Sequence, residues 1–211
     1  MTETYRWRGG TEMLLRHGAG STITILVLPA LFEEANRMRR FTVSIMRGLA
    51  DRGIGTILPD MPGTGESETT LCDVMLEDWH EAILALAPNM FASVAIRGGA
   101  LLDGSFANRW RLAPDSGERL LRDMVRATAF SDGVPASQLD KDVRSGPTRL
   151  AGNLIGPAFY LSLHNAVPVG GGYVTPVDGP KLWRAAEPGD DQDFVHLIVE
   201  DIASWAKPCG A

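Results

Sequence analysis

Hydrophobic and polar positions along this chain follow two rhythms that take turns. Thr22 to Leu28, T-I-T-I-L-V-L, is β-branched and nearly all apolar, which predicts a strand buried on both faces, as in a parallel sheet. Met38, Phe41, Ile45 and Leu49 then recur at spacings of three and four, which predicts an amphipathic helix with Gly53 at its C-terminal cap. Gly55 to Asp60 reads as the next strand. Leu76, Trp79, Ile83 and Leu86 make a second helix, stopped by Pro88. Phe91 to Ile96 and Arg109 to Leu112 are two further short strands. Asp115-Ser116-Gly117-Glu118 is read as a capping box, with Asp115 as cap, opening a helix that carries Leu121, Met124 and Thr128.

From about 131 to 165 the rhythm breaks. Gly146-Pro147 and Gly156-Pro157 punctuate a short helical region, read as a possible cap or irregular insertion within one domain spanning 1–211. Gly170 to Gly179 is a Gly/Pro-rich loop. A final helix runs from about Asp191 to Ala206, with Phe194, Ile198, Ile202 and Trp205 as its buried stripe and Pro208 as its end. Strands alternating with helices predict an α/β fold with a mainly parallel sheet. Ligands in such sheets bind beyond the carboxyl ends of the strands, so the residues after Leu28, Asp60, Ile96 and Leu112 carry the functional expectation.

Composition narrows the function classes. The 211 residues are 45% hydrophobic and 22% charged, an ordinary globular balance. A formal charge of −6 speaks against nucleic acid as the main partner, because phosphate binding wants a basic face. Arg alternates with Tyr and Trp in Tyr5-Arg6-Trp7-Arg8 and Asn108-Arg109-Trp110-Arg111, which is the pattern of half-buried strands. Two cysteines, Cys72 and Cys209, build neither a disulfide framework nor a cysteine-rich zinc site. The sequence has no membrane-span run and no apolar leader segment, so the expected localisation is cytoplasmic. No H-x-x-x-H or C-x-x-C pair suggests a metal, and no G-x-G-x-x-G opens a helix. Gly99 to Ser105 spells G-x-x-x-x-G-S, but lacks the P-loop lysine. The expected cofactor complement is therefore none.

Two blocks carry chemistry. Asp60-Met61-Pro62-Gly63-Thr64-Gly65-Glu66-Ser67 ends a strand in an acid and follows it with two glycines that permit positive φ. Leu28 to Arg40 joins a strand to a helix and packs Glu33, Glu34, Asn36, Arg37, Arg39 and Arg40 into eight positions. Its two acids suit a helix N-terminus. Alternatively the loop lines a pocket in which its N–H groups bind an anion.

Together, strand, P-x-x-F-E-E-x-N-x-x-R-R, helix, strand, D-x-P-G-x-G-x-S resembles the exosortase A system-associated hydrolases of the α/β-hydrolase superfamily, closer to the type labelled hydrolase 2. The likeness is clearest from Val27 to about Arg126. It includes Ile96-Arg97-Gly98-Gly99-Ala100-Leu101-Leu102 and Ala113-Pro114-Asp115-Ser116-Gly117-Glu118, and extends more faintly to Leu150–Asn153 and the stretch from Trp183. The resemblance implies an α/β-hydrolase fold, with a nucleophile elbow G-x-S-x-G after the strand ending at Ile96. In this sequence the segment is Ala95-Ile96-Arg97-Gly98-Gly99, with Arg97 in the nucleophile's place. The hydrolase 2 type also tends to carry Arg there.

Arg cannot replace Ser, because a guanidinium stays protonated and only donates hydrogen bonds. Arg97 is either paired internally with Glu33, Glu34 or Asp115, or faces an open pocket as an anion receptor. No histidine completes a triad. His17 and His80 precede the elbow, His164 ends the irregular segment, and His196 is expected to face solvent. The usual histidine loop falls near Glu187-Pro188-Gly189-Asp190, where Asp190 reads as a helix cap. Ser67, Ser93, Ser105 and Cys72 each lack a neighbouring base.

Three readings of function follow. The first is a degenerate hydrolase that binds an anionic or acyl/glycosyl small molecule through Glu33, Glu34, Asn36, Arg39, Arg97 and Gly98, within exopolysaccharide-related metabolism. The second is an active hydrolase in which Glu34 or Asp115 activates water while Arg97 stabilises the oxyanion. The third is a non-catalytic accessory protein with an exopolysaccharide-machinery partner. It predicts a closed Arg97 and an apolar surface patch elsewhere.

Overall fold

The computed structural model describes residues 1–185, 187 and 189–207. Pro208 and Cys209, expected to follow the last helix, lie outside the described residues. A mixed, mainly parallel sheet is flanked by helices. Its strands are β1 (Thr2–Trp7), β2 (Gly10–His17), β3 (Ile23–Leu28), β4 (Ile54–Pro59), β5 (Ala92–Ile96), β6 (Arg109–Leu112) and a two-residue β9 (Tyr173–Val174). Their order is β1-β2-β4-β3-β5-β6-β9. The β1–β2 and β2–β4 pairs are antiparallel and the remaining pairs parallel.

Strands β3, β4 and β6 are each followed, before the next strand, by an amphipathic helix that the periodicity predicts. Helix α1 (Glu33–Ala50) buries Met38, Phe41, Ile45 and Leu49, as read from their spacing. With α6 (Gln192–Ala206) it covers one face of the sheet, where Phe41 stacks on Phe194 at 5.2 Å. The other face is covered by α2 (Leu76–Leu86) and α3 (Gly117–Asp132), whose Trp79 and Leu121 share a core with β-strand residues Leu28 and Ala95.

The irregular stretch resolves into α4 (Ala136–Ser145), a hairpin of β7 (Thr148–Leu150) and β8 (Asn153–Ile155), and α5 (Pro157–Asn165). Val143, Leu150, Ile155 and Phe159 are fully buried in the same core as Trp79. This small irregular cap is thus packed into the body of the protein.

Some elements differ from the sequence reading. The β1–β2 hairpin adds an antiparallel edge, of which only the Tyr5–Arg8 alternation was readable. β9 sits inside the Gly-rich loop and is too short to leave a hydrophobic period. The helix caps shift by one residue: Ser116, not Asp115, caps α3 by accepting from Arg119 N–H, and Asp191, not Asp190, caps α6 by accepting from Phe194 N–H. Both displaced acids are engaged by arginines instead, Asp115 by Arg97 and Asp190 by Arg40.

Candidate functional site

After β3 the chain adds β4 on one side and later β5 on the other, so the crevice at their carboxyl ends is where an α/β sheet binds ligands. Backbone strain collects there. Phe32, Arg97 and Ala113 follow β3, β5 and β6, and all three hold positive φ, at 55°, 54° and 44°. A non-glycine residue in that region costs on the order of 1–3 kcal/mol, so the surrounding structure must enforce it. At Arg97 part of the reason is visible two residues on. A Cβ on Gly99 would stand 2.4 Å from the Leu28 carbonyl oxygen and 2.5 Å from that of Pro29, so the turn is pressed against β3 backbone. The strained elbow geometry is therefore present although the serine is not. The segment after it is a five-residue 3₁₀ turn, Arg97–Leu101, not a full helix.

The Arg97 side chain turns into the protein. Its Nε donates to Glu34 Oε2 at 3.2 Å and its Nη2 to Glu34 Oε1 at 3.1 Å, a two-point grip. Nη2 also donates to Asp115 Oδ2 at 2.7 Å, and Nη1 to the Ala113 carbonyl at 3.0 Å. Four of the five guanidinium N–H groups are thereby used. The Trp183 ring lies over the cation at 4.6 Å. That ring is positioned from α1, where Arg37 donates to the Trp183 carbonyl at 3.1 Å and pairs with Glu33. The Arg97 side chain retains 9% of its exposure, Glu34 15% and Asp115 4%. Of the two arrangements open to Arg97, the structure has the internally paired one.

The acids are not equivalent. Asp115 accepts from Arg97 and from the Ser116 N–H at 3.0 Å, and forms an ion pair with Arg119 at 3.3 Å. Among the described residues, the Glu34 carboxylate hydrogen-bonds to Arg97 only. Burial pushes its carboxyl above the usual glutamate value. The Arg97 hydrogen bonds and charge pull the other way, while Asp115 and Asp123 add a further raising effect. Sequence reasoning missed a second buried pair nearby, in which Arg111 grips Asp103 at 2.6 and 2.7 Å. Its signal was the arginine inside the apolar strand Arg109–Leu112, which needs a buried acid within reach.

Among the described residues, no candidate triad assembles from the remaining groups. His80 Nε2 contacts the Leu101 carbonyl at 3.1 Å, His164 packs beside the Tyr160 ring, and His196 is exposed on α6. Ser67 Oγ accepts from the Gly63 and Thr69 N–H groups and so holds the glycine turn. The Cys72 thiol is pushed up by desolvation and by the adjacent Asp73 carboxylate, opposite to what an attacking thiolate requires.

Helix α1 divides the residues expected to bind ligand. Glu33 and Glu34 border a cleft of about 720 Å³ between α1 and α3, rimmed also by Trp183 and Phe130. Asn36 and Arg39 stand between a smaller cavity of about 250 Å³ at the ends of β3 and β4 and an open groove of about 780 Å³ along α1 and α6. Gly98 packs against Leu31 and Leu120. The smaller cavity also contains Asp60, which the sequence reading treated only as a strand end. Its signal was an acid at a strand's carboxyl end, the position where α/β ligand sites form.

Among the described residues, no group of three or more His, Cys, Asp or Glu side chains is gathered to hold a metal ion. Among the same residues, no helix is long and apolar enough to cross a membrane.

No family model matches this chain, and no curated protein matches it. Solved structures do. α/β Hydrolase domain-containing protein 10 from mouse is 15% identical with a TM-score of 0.65, covering 99% of each chain. Est1E from Butyrivibrio proteoclasticus, solved with ferulic acid bound, is 12% identical with a TM-score of 0.63 over 98% of each chain. A thermophilic esterase from Thermogutta terrifontis, solved with malate bound, is 10% identical with a TM-score of 0.58 over the full length of both.

Proposed function

We propose that this α/β-hydrolase-fold chain binds a small molecule without hydrolysing it. The observation that carries the reading is the engagement of Arg97 at the elbow. Four of its N–H groups are taken by Glu34, Asp115 and the Ala113 carbonyl. A residue so held neither attacks a carbonyl nor releases its donors to a developing oxyanion. The carboxylate-activated-water mechanism needs Glu34 or Asp115 as base and Arg97 as oxyanion donor. Here each acid is already the other half of Arg97's own ion pair. Arg97 is thus a structural clamp that holds the ends of β5 and β6 to the start of α1. Binding falls to the cavity beside it, where Asn36 and Arg39 offer an amide and a guanidinium to an anionic group.

The resemblance to exosortase A system-associated hydrolases carries this reading further, to a cytoplasmic protein acting in bacterial exopolysaccharide production. A panel of short- and long-chain esters and thioesters tests it, with Arg97→Ala assayed alongside. The expected result is no turnover by either protein. Turnover that vanishes in a folded Arg97→Ala variant overturns it.

A second reading, a non-catalytic accessory protein, is favoured by a specific surface. Leu84, Val167 and Val169 stand at least half exposed around an apolar groove of about 550 Å³. It predicts that Leu84→Asp disrupts partner assembly and leaves small-molecule binding intact.

A further inference from the structure

The two most distinctive sequence blocks meet at one place, and it is not the elbow. Phe32, Asn36 and Arg39 from the first block, and Asp60, Gly63 and Gly65 from the second, enclose the cavity of about 250 Å³. Gly65, at φ 56°, has no side chain, and a Cβ there would lie 2.5 Å from Asp60 Oδ2. The glycine thus makes room for the carboxylate against the turn. Among the described residues, neither the Asp60 carboxylate nor the Arg39 guanidinium has a hydrogen-bond or ion-pair partner. The Asp60 backbone makes two hydrogen bonds, its carbonyl accepting from the Tyr5 hydroxyl at 2.8 Å and its N–H donating to the Met13 carbonyl at 2.9 Å.

A half-buried acid, Asp60, and an exposed arginine, Arg39, therefore border one small cavity with no ion pair between them. The buried arginines of this protein pair directly with acids, as Arg97 does with Glu34 and Asp115 and Arg111 with Asp103. A site that keeps a cation and an anion apart is complementary to a molecule carrying both signs. The volume lies below the roughly 300 Å³ at which drug-sized pockets begin, so the molecule is of metabolite size. Trp79, Leu31 and Met61 supply apolar wall for its carbon skeleton.

We infer that the cavity binds a small zwitterion of the amino-acid class, its carboxylate toward Arg39 and Asn36 and its ammonium toward Asp60. This rests on the small-molecule reading above and adds the ligand's chemical class. No covalent step is involved.

The test is calorimetric titration of the full chain with single L-amino acids and with two matched analogues of each, one lacking the amine and one lacking the carboxylate. Titrations run to about 10 mM, the affinity range of ligands this small. At least one amino acid is expected to bind, and each analogue to bind at least tenfold more weakly. Asp60→Asn is expected to remove the preference for the amine and leave the carboxylate-only analogue unchanged. Arg39→Gln is expected to do the converse. Circular dichroism confirms that both variants are folded. Equal binding of an amino acid and its amine-free analogue overturns the zwitterion assignment and leaves the small-molecule reading standing. Binding of no amino acid also overturns the assignment. Hydrolysis in the ester panel overturns the underlying reading instead.

Discussion

Replacing Arg97 with alanine should be among the most damaging single changes this fold can receive. The substitution removes four hydrogen bonds and leaves the Glu34 and Asp115 carboxylates facing each other in a site where their side chains are 15% and 4% exposed. Breaking a buried ion pair by removing one partner costs about 3–5 kcal/mol, most of it from the stranded charge. For a chain of this size that is a fall in Tm of about 6 to 20 °C. The loss should depend on pH in a definite direction. Burial already holds the Glu34 carboxyl above its ordinary value, and Arg97 opposes that rise. An acid raised in the folded state favours folding when protonated, and that contribution is lost as pH rises through its folded pKa. Without Arg97 the rise is larger, so the variant's deficit should shrink as pH falls from about 7 to about 4 across the carboxylate range. Removing all three charges, in Arg97→Met/Glu34→Gln/Asp115→Asn, should recover about half the loss or more, because no charge is then stranded. Urea unfolding of the wild type and both variants measures this. A single-variant loss under about 1 kcal/mol, with no pH dependence, refutes a buried clamp.

Three other expectations follow from the same geometry. Gly99→Ala should destabilise by about 1–3 kcal/mol or more, since its Cβ meets two carbonyl oxygens that cannot move aside. A Tm unchanged in a thermal scan contradicts this. Asp103→Ala should cost about 3–5 kcal/mol in chemical denaturation by stranding Arg111, and Asp103→Leu/Arg111→Met should cost less. The reverse order would show that the pair is not effectively buried. In a Cys209→Ser background, Cys72 should alkylate with iodoacetamide more slowly at neutral pH than a free thiol, with the rate rising at higher pH than usual. Fast labelling at neutral pH contradicts the raised thiol.

Much of the architecture was legible because it is written in local periods. The buried strand Ile23–Leu28 and the α1 stripe of Met38, Phe41, Ile45 and Leu49 each announce themselves within a few residues. β9 does not, because two residues in a glycine-rich loop carry no period. Its pairing with Trp110 and Arg111 is decided by tertiary contact. The helix caps were misassigned by one residue for a related reason. Asp115 is a good cap by its own chemistry, but Arg97 competes for it from another strand, and Ser116 takes the cap. For the site, sequence identified Arg97 and offered Glu33, Glu34 and Asp115 as its partners, since an arginine at an elbow demands a nearby acid; the structure pairs it with Glu34 and Asp115 and pairs Glu33 with Arg37. It did not show that α1 sends Glu34 toward one cleft and Asn36 and Arg39 toward another. Nor did it join Asp60 to Arg39, because one lies in the turn after β4 and the other on helix α1.

The central claim is that Arg97 is closed on its own acids, and the Arg97 Nε–H resonance in a nitrogen-15 NMR spectrum reports on it directly. The clamp predicts a resonance, assigned by its loss in Arg97→Lys, that exchanges slowly with water and does not shift as acetate or phosphate is added. Rapid exchange, with a shift that saturates on adding either anion, would show a guanidinium open to ligand and contradict the clamp.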